Sequence, residues 1–357
     1  MTSKLSDICC YVKGKVDVST LSRQTYISTE NMNPNKGGIC DAANLPSATQ
    51  TQVFQYGDVL VSNIRPYFKK IWKAKFDGGC SNDVLVFRAN DDVSKEFLYY
   101  VLADDSFFTY SMGTSKGTKM PRGDKTAIMQ YAVPDFSYEK QCQIASILQS
   151  IDEKIEENSV INKNLEEQTQ ALFQNWFVNF EPFDGKIPAN WYSGTLGQIA
   201  EIKTNSFSPG KYPDVILEHY SIPAYDEKHF PIFEIASNVK SNKYILTKTS
   251  VLISKLNPET KRLWRPLCLT NNPVCSTEFI VYEPVKTKYR DFIYSVIDDP
   301  MFNAYLCAHT TGSTNSRQRT TPSTTLNYPI PIPTDEIIKN FCDIVSPMYD
   351  LISSKGV

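Results

Sequence analysis

Apolar residues fall along this chain in two kinds of run. The first kind is short and β-branched. Asp58 to Ser62 and Asp83 to Arg88 are bounded by Gly, Asn and Asp, which predicts strands. Ser94-Lys95-Glu96-Phe97 then opens a helix whose stripe is Phe97, Leu98, Val101 and Leu102. A polar loop with Gly113, Gly117, Pro121 and Gly123 follows, and after it a strand ending at Pro134. The second kind of run is long. From Tyr138 to Phe180, Ile144, Leu148, Ile151, Ile155, Asn158, Asn162, Leu165, Thr169, Leu172 and Trp176 advance in steps of four and three, with no Gly or Pro. That is a heptad seam with polar interruptions. About 40 residues of helix at 1.5 Å each make a rod of roughly 60 Å. Glu181-Pro182 is expected to close it. The period favours a coiled-coil spacer over an amphipathic core helix, with Asn158 and Asn162 fixing register or partner.

The short-run pattern occurs twice. Gly57-Asp58-Val59-Leu60-Val61-Ser62-Asn63-Ile64-Arg65-Pro66 recurs 192 positions later as Thr249-Ser250-Val251-Leu252-Ile253-Ser254-Lys255-Leu256-Asn257-Pro258. Lys69-Lys70-Ile71-Trp72-Lys73 keeps that offset as Lys261-Arg262-Leu263-Trp264-Arg265. Cys80 to Phe87 meets Cys275 to Tyr282 at offset 195, and Arg122, Tyr131 and Pro134 meet Arg319, Tyr328 and Pro331 at offset 197. An ordered series whose offset drifts only in loops marks a tandem duplication. Thr334 to Leu351 then looks like a second start of the long helix, with Phe341, Ile344, Val345 and Met348 standing where Ile144, Ile147, Leu148 and Ile151 stand earlier.

Composition narrows the class. A chain of 357 residues, 41% hydrophobic and 21% charged, has room for two cores and excludes global disorder. No apolar run approaches bilayer length and the start lacks an apolar signal core, so a cytoplasmic protein without a membrane partner is expected. Nine cysteines with no C-x-x-C pair fit neither a disulfide framework nor a zinc site. The net charge of −2 hides local basic patches. Val61 to Lys75 carries Arg65, Lys69, Lys70, Lys73 and Lys75 with no acid, enough to bind phosphate on a neutral protein.

Two divergent copies joined by a long helix, with a second helix beginning after copy two, resemble the specificity subunit of Type I restriction–modification systems. The residues that carry the resemblance are Gly57-Asp58-Val59-Leu60-Val61-Ser62, the loop Gly117-Thr118-Lys119-Met120-Pro121-Arg122, and Val133-Pro134 leading to Gln141-Cys142-Gln143-Ile144-Ala145. Ala171-Leu172-Phe173-Gln174-Asn175-Trp176-Phe177 is similar to the family's first conserved helical region. The resemblance implies an α+β fold in which two tandem mixed α/β target recognition domains, 1–136 and 183–333, flank a spacer helix, 137–182. That helix would pair as an antiparallel coiled coil with a shorter one, 334–357. It also implies a non-catalytic subunit without a cofactor. Its expected partners are double-stranded DNA, two methyltransferase subunits, and restriction subunits reached through the complex. Each domain would read one half of a gapped DNA target.

The basic loops are the candidate DNA contacts. Lys69, Lys70 and Lys73 match Lys261, Arg262 and Arg265 in charge and suit phosphates; a solvated strand edge is the alternative. Lys116, Lys119 and Arg122, and opposite them Asn315, Arg317, Gln318 and Arg319, differ between copies at a shared loop, as base readout requires; a surface turn is the alternative. Ile144, Leu148, Ile151, Ile155, Asn158, Asn162, Leu165, Leu172 and Trp176 form the expected partner-helix seam. Other chemistry is thin. Gly113-Thr114-Ser115-Lys116-Gly117 matches a nucleophile pattern without the helix it needs. Asp214, Asp226 and Lys228 imitate a magnesium nuclease, the alternative reading, with a scaffold indifferent to DNA as a third. His219, His229 and His309 share no ligand spacing, so no metal site is expected.

Overall fold

A computed structural model describes residues 2–311 and 318–355. The chain forms two compact units, Met1–Ile155 and Glu156–Val357.

In the first unit the strand Val59–Ser62 is buried at every position, because both of its faces are covered. Val59 and Val61 point to one side, with Leu85, Phe87, Leu98, Leu102 and Phe107. Leu60 points to the other, with Val84, Val86, Trp72, Phe54 and Ile27. The sheet runs in the order Cys9–Tyr11, Val84–Ala89, Val59–Ser62, Ile71–Lys73, antiparallel throughout. Helices Lys95–Ala103 and Asp105–Gly113 cover the first face. Ser94 caps the former by accepting from the Phe97 amide at 3.2 Å, and Asp104 caps the latter. A second sheet covers the other face: Lys15–Asp17, Gln50–Phe54, Gly78–Cys80, Tyr26–Ile27, its last pair parallel.

The second unit repeats this plan, with equivalent residues in register across its central strands. Its first sheet runs Ala200–Ile202, Phe279–Pro284, Val251–Ser254, Leu263–Trp264. Leu252 lies opposite Trp264 as Leu60 lies opposite Trp72, and Val251 opposite Tyr282 as Val59 opposite Phe87. In the second sheet Tyr244 faces Cys275 as Gln52 faces Cys80. The parallel pair recurs too, His219 beside Val274 as Tyr26 beside Gly79. Asp299 caps Pro300–Ala308 as Asp104 caps its counterpart. Trp72 and Trp264 are both buried core residues. Two features have no counterpart strands: Ile232–Ile235 adds a fifth strand to the second sheet, and Thr310–Thr311 pairs with Arg319–Thr320.

The long helix is α-helical over Tyr138–Phe173 and widens to a π-turn over Gln174–Val178. The regular helix thus ends short of the expected Phe180. The cause is aromatic packing. Phe173 and Phe177 both lie in the core, Phe177 with its ring 4.9 Å from Phe292 and 4.9 Å from Phe341, and the widened turn seats Trp176 beside Phe341 as well. The stop itself is Phe180, left-handed at φ 56°, one residue ahead of Glu181-Pro182. Within the second unit the C-terminal helix, Asp335–Lys355, runs antiparallel to this segment. Phe341 packs on Phe173, Trp176 and Phe177, while Asn162 Nδ2 donates to the Ile352 carbonyl at 3.4 Å. No helix of the described residues is long and apolar enough to cross a membrane.

Candidate nucleic-acid interface

Each lobe presents one end of its buried sheet to a loop. After Ser62 the chain passes Ile64, which bridges to Arg122, and the 116–122 loop closes on itself through reciprocal backbone hydrogen bonds of Lys116 and Arg122 at 2.9 and 3.0 Å. After Ser254 the same step brings Leu256 against Arg319. Ser62 Oγ donates to the Ile64 carbonyl and Ser254 Oγ to the Leu256 carbonyl, so both strand exits are turned by the same bond.

Most of the basic residues expected at these loops pair with groups of their own lobe. Arg122 pairs with Asp83 at 3.2 Å, and Arg319 pairs with Glu278 through two bonds of 3.0 and 3.1 Å. Asp83 and Glu278 are repeat partners, so this latch is duplicated with its loop. The Arg319 hydrogen bonds hold the Glu278 carboxyl below the ordinary carboxylate range. Lys73 reaches Glu96 at 3.4 Å, and its counterpart Arg265 is buried between Asp291 and Asp350, each 2.7 Å away. Lys69 pairs with Asp105 at 2.8 Å, Lys70 donates to the Thr29 carbonyl, and Lys116 pairs with Asp124 at 2.7 Å. Lys261 pairs with Asp298 at 2.5 Å and Arg262 with Asp226 at 2.7 Å. Lys119 is exposed. Asn315 and Arg317 lie outside the described residues.

Most of these cations are thus paired. The lysine pairs are exposed or partly exposed, and bonds of that kind contribute little to stability. Arg265 is different: its guanidinium fastens the C-terminal helix. Asp226, once a candidate metal ligand, is occupied by Arg262, and no group of three metal-binding side chains occurs among the described residues.

The seam divides in two. Asn162, Leu165, Leu172 and Trp176 are at least partly buried, and Leu172 and Trp176 pack against the core of the second unit. In the first unit the helix meets its own lobe through buried Gln141 and Ala145, and Asp152 accepts from Tyr100 at 2.9 Å. Ile144 and Asn158 are partly covered, while Leu148, Ile151 and Ile155 are exposed.

Residues 1–167 match the model of the Type I restriction modification DNA specificity domain. The chain is 31% identical over 150 residues to the specificity subunit of the Type I restriction enzyme MjaIX of Methanocaldococcus jannaschii, covering 39% of this chain and 34% of that one. It is 29% identical over 245 residues to the HindI specificity subunit of Haemophilus influenzae, covering 64% of this chain and 52% of that one. The chain thus spans between a third and about half the length of these relatives. In fold it is similar to the S subunit of a Type I restriction–modification system from M. genitalium, with a TM-score of 0.65 at 14% identity over 99% of this chain and 90% of that one. Residues 1–167 thus match a Type I restriction–modification DNA specificity domain, and the chain, with its duplicated lobes and paired helices, is similar to Type I specificity subunits in sequence and in fold.

Proposed function

We propose that this chain is a non-catalytic DNA-reading subunit that recognises a gapped, two-part target in duplex DNA. Residues 1–136 read one half and residues 183–333 the other. The helical segments 137–182 and 334–357 set the spacing and receive two methyltransferase subunits, through which restriction subunits join. The observation that carries this is the duplication itself. The same sheets, the same strand exits and the same arginine latch occur twice in one chain, while the loops beside them differ. Two like modules with unlike loops suit two unlike short sequences. Each good bidentate base contact discriminates by about 1–3 kcal/mol, so a few per half-site suffice when the two halves are summed. A fixed spacer adds avidity only when the halves stand at the right separation.

Footprinting of the chain assembled with its methyltransferase partner tests this. Two unequal protected half-sites are expected, with affinity lost when one base pair is inserted between them. A single continuous footprint indifferent to such insertions refutes it.

A further inference from the structure

In both lobes the chain leaves the central strand through a residue with left-handed backbone. Arg65 has φ 50° and ψ 66°, and Asn257 has φ 48°. The two are repeat partners, and each precedes a proline, Pro66 or Pro258. Left-handed backbone costs a residue with a Cβ roughly 1–2 kcal/mol, and asparagine bears it better than arginine. The surroundings are matched. The Arg65 amide donates to the Pro121 carbonyl at 2.8 Å and the Asn257 amide to the Gln318 carbonyl at 3.0 Å, so each residue sits at the root of the loop that differs between lobes.

Their side chains are unlike those around them. Arg122, Lys116 and Lys69 all have carboxylate partners. Arg65 makes no ion pair among the described residues, and its buried Nε has no hydrogen-bond partner. Asn257 Oδ1 is likewise buried and unpartnered. Backbone strain and an unmet polar atom thus recur at one position in both copies, on side chains of different chemistry. Among the described residues nothing offsets these costs, and a ligand outside the lobe would.

We propose that Arg65 and Asn257 determine specificity, Arg65 reading a guanine through O6 and N7 in one half-site and Asn257 an adenine through N6 and N7 in the other. This rests on the DNA-reading function above. The test is selection from a pool of random duplexes by the full chain assembled with its methyltransferase partners. Glycine suits left-handed backbone, so Arg65→Gly and Asn257→Gly remove the side chain while keeping the fold. Arg65→Gly is expected to lose a guanine preference of about 5- to 150-fold at one position of one half-site and to leave the other half-site unchanged. Asn257→Gly does the same for an adenine in the other half, and Arg65→Asn turns the guanine preference toward adenine. If wild type selects a gapped sequence and the variants select the same one, or weaken on all sequences equally, the assignment of these residues is overturned and the DNA-reading function stands. If wild type selects nothing, both fall.

Discussion

Asp291 and Glu96 occupy the same position in the two copies, yet their loss should differ by several kcal/mol. Asp291 meets Arg265 through bonds of 2.7 and 3.1 Å, and the two side chains are only 7% and 9% exposed. Removing one partner of a buried pair costs about 3–5 kcal/mol, because the other charge is left without compensation. Arg265 keeps Asp350, which is 69% exposed and returns about 0–1 kcal/mol. Asp291→Asn should therefore cost about 2–5 kcal/mol. Glu96 meets Lys73 at 3.4 Å with both side chains substantially exposed, so Glu96→Gln should cost about 0–1 kcal/mol. The assay is urea unfolding of the intact chain, with hydrogen exchange assigning each loss to its lobe. Burial alone would raise the Asp291 pKa, but the Arg265 hydrogen bonds outweigh it and lower it. A depressed folded pKa means that the bond contributes above the unfolded value of about 3.9 and is lost as pH falls through the folded one. The gap between wild type and Asp291→Asn should therefore close in acid. Equal losses from the two substitutions, or a gap indifferent to pH, would refute the reasoning.

Phe341→Ala should cost about 3–5 kcal/mol and speed amide exchange over 335–355, since Phe341 lies against Phe173, Trp176, Phe177 and Phe292. Gly78→Ala should lower the urea midpoint, at a cost of about 1–3 kcal/mol, because its Cβ would lie 2.3 Å from the Thr25 carbonyl oxygen. Arg122→Ala breaks a partly exposed pair and should cost under about 1 kcal/mol, yet it should speed tryptic cleavage at Lys116 and Lys119 by freeing their loop. Lys119→Ala should weaken binding to all duplexes alike and reduce the slope of log affinity against log salt by about 1.

The central strands and their register were legible because two signals agreed. The apolar runs gave the strands, and the repeat fixed which residues must be equivalent, so Leu60 opposite Trp72 implies Leu252 opposite Trp264. The outer sheet was not legible. Tyr26–Ile27 and Ser206–Phe207 are two residues long, too short for alternation to register, and they exist because the inner sheet needs a cover. The stop near Glu181-Pro182 was legible, but the π-turn before it was not, because it begins where aromatic side chains fit better with one more residue per turn. The pairing of Arg122 and Arg319 could have been foreseen. An acid, Asp83 or Glu278, is kept in both copies alongside the arginine, and opposite charges preserved together across a duplication point to a pair.

Where the copies differ inside the fold, they differ in matched pairs. Buried Asp58 accepts two hydrogen bonds of 2.7 Å from Arg88. At the same place in the second lobe Ser250 replaces Asp58 and Glu283 replaces Arg88. The carboxylate has moved to the neighbouring strand, where it accepts from Ser250 and, at 2.9 and 2.8 Å, from Thr247 and Thr249. Changing only one end would have stranded a charge on a buried strand, so what is preserved is satisfaction of the site rather than its sequence. Arg65 and Asn257 break that rule. The difference between them is met by no compensating change at Pro121 or Gln318, since those contribute only backbone carbonyls. Among the described residues this divergence is neither required nor compensated by the fold, and selection by an outside molecule is a physical explanation for it.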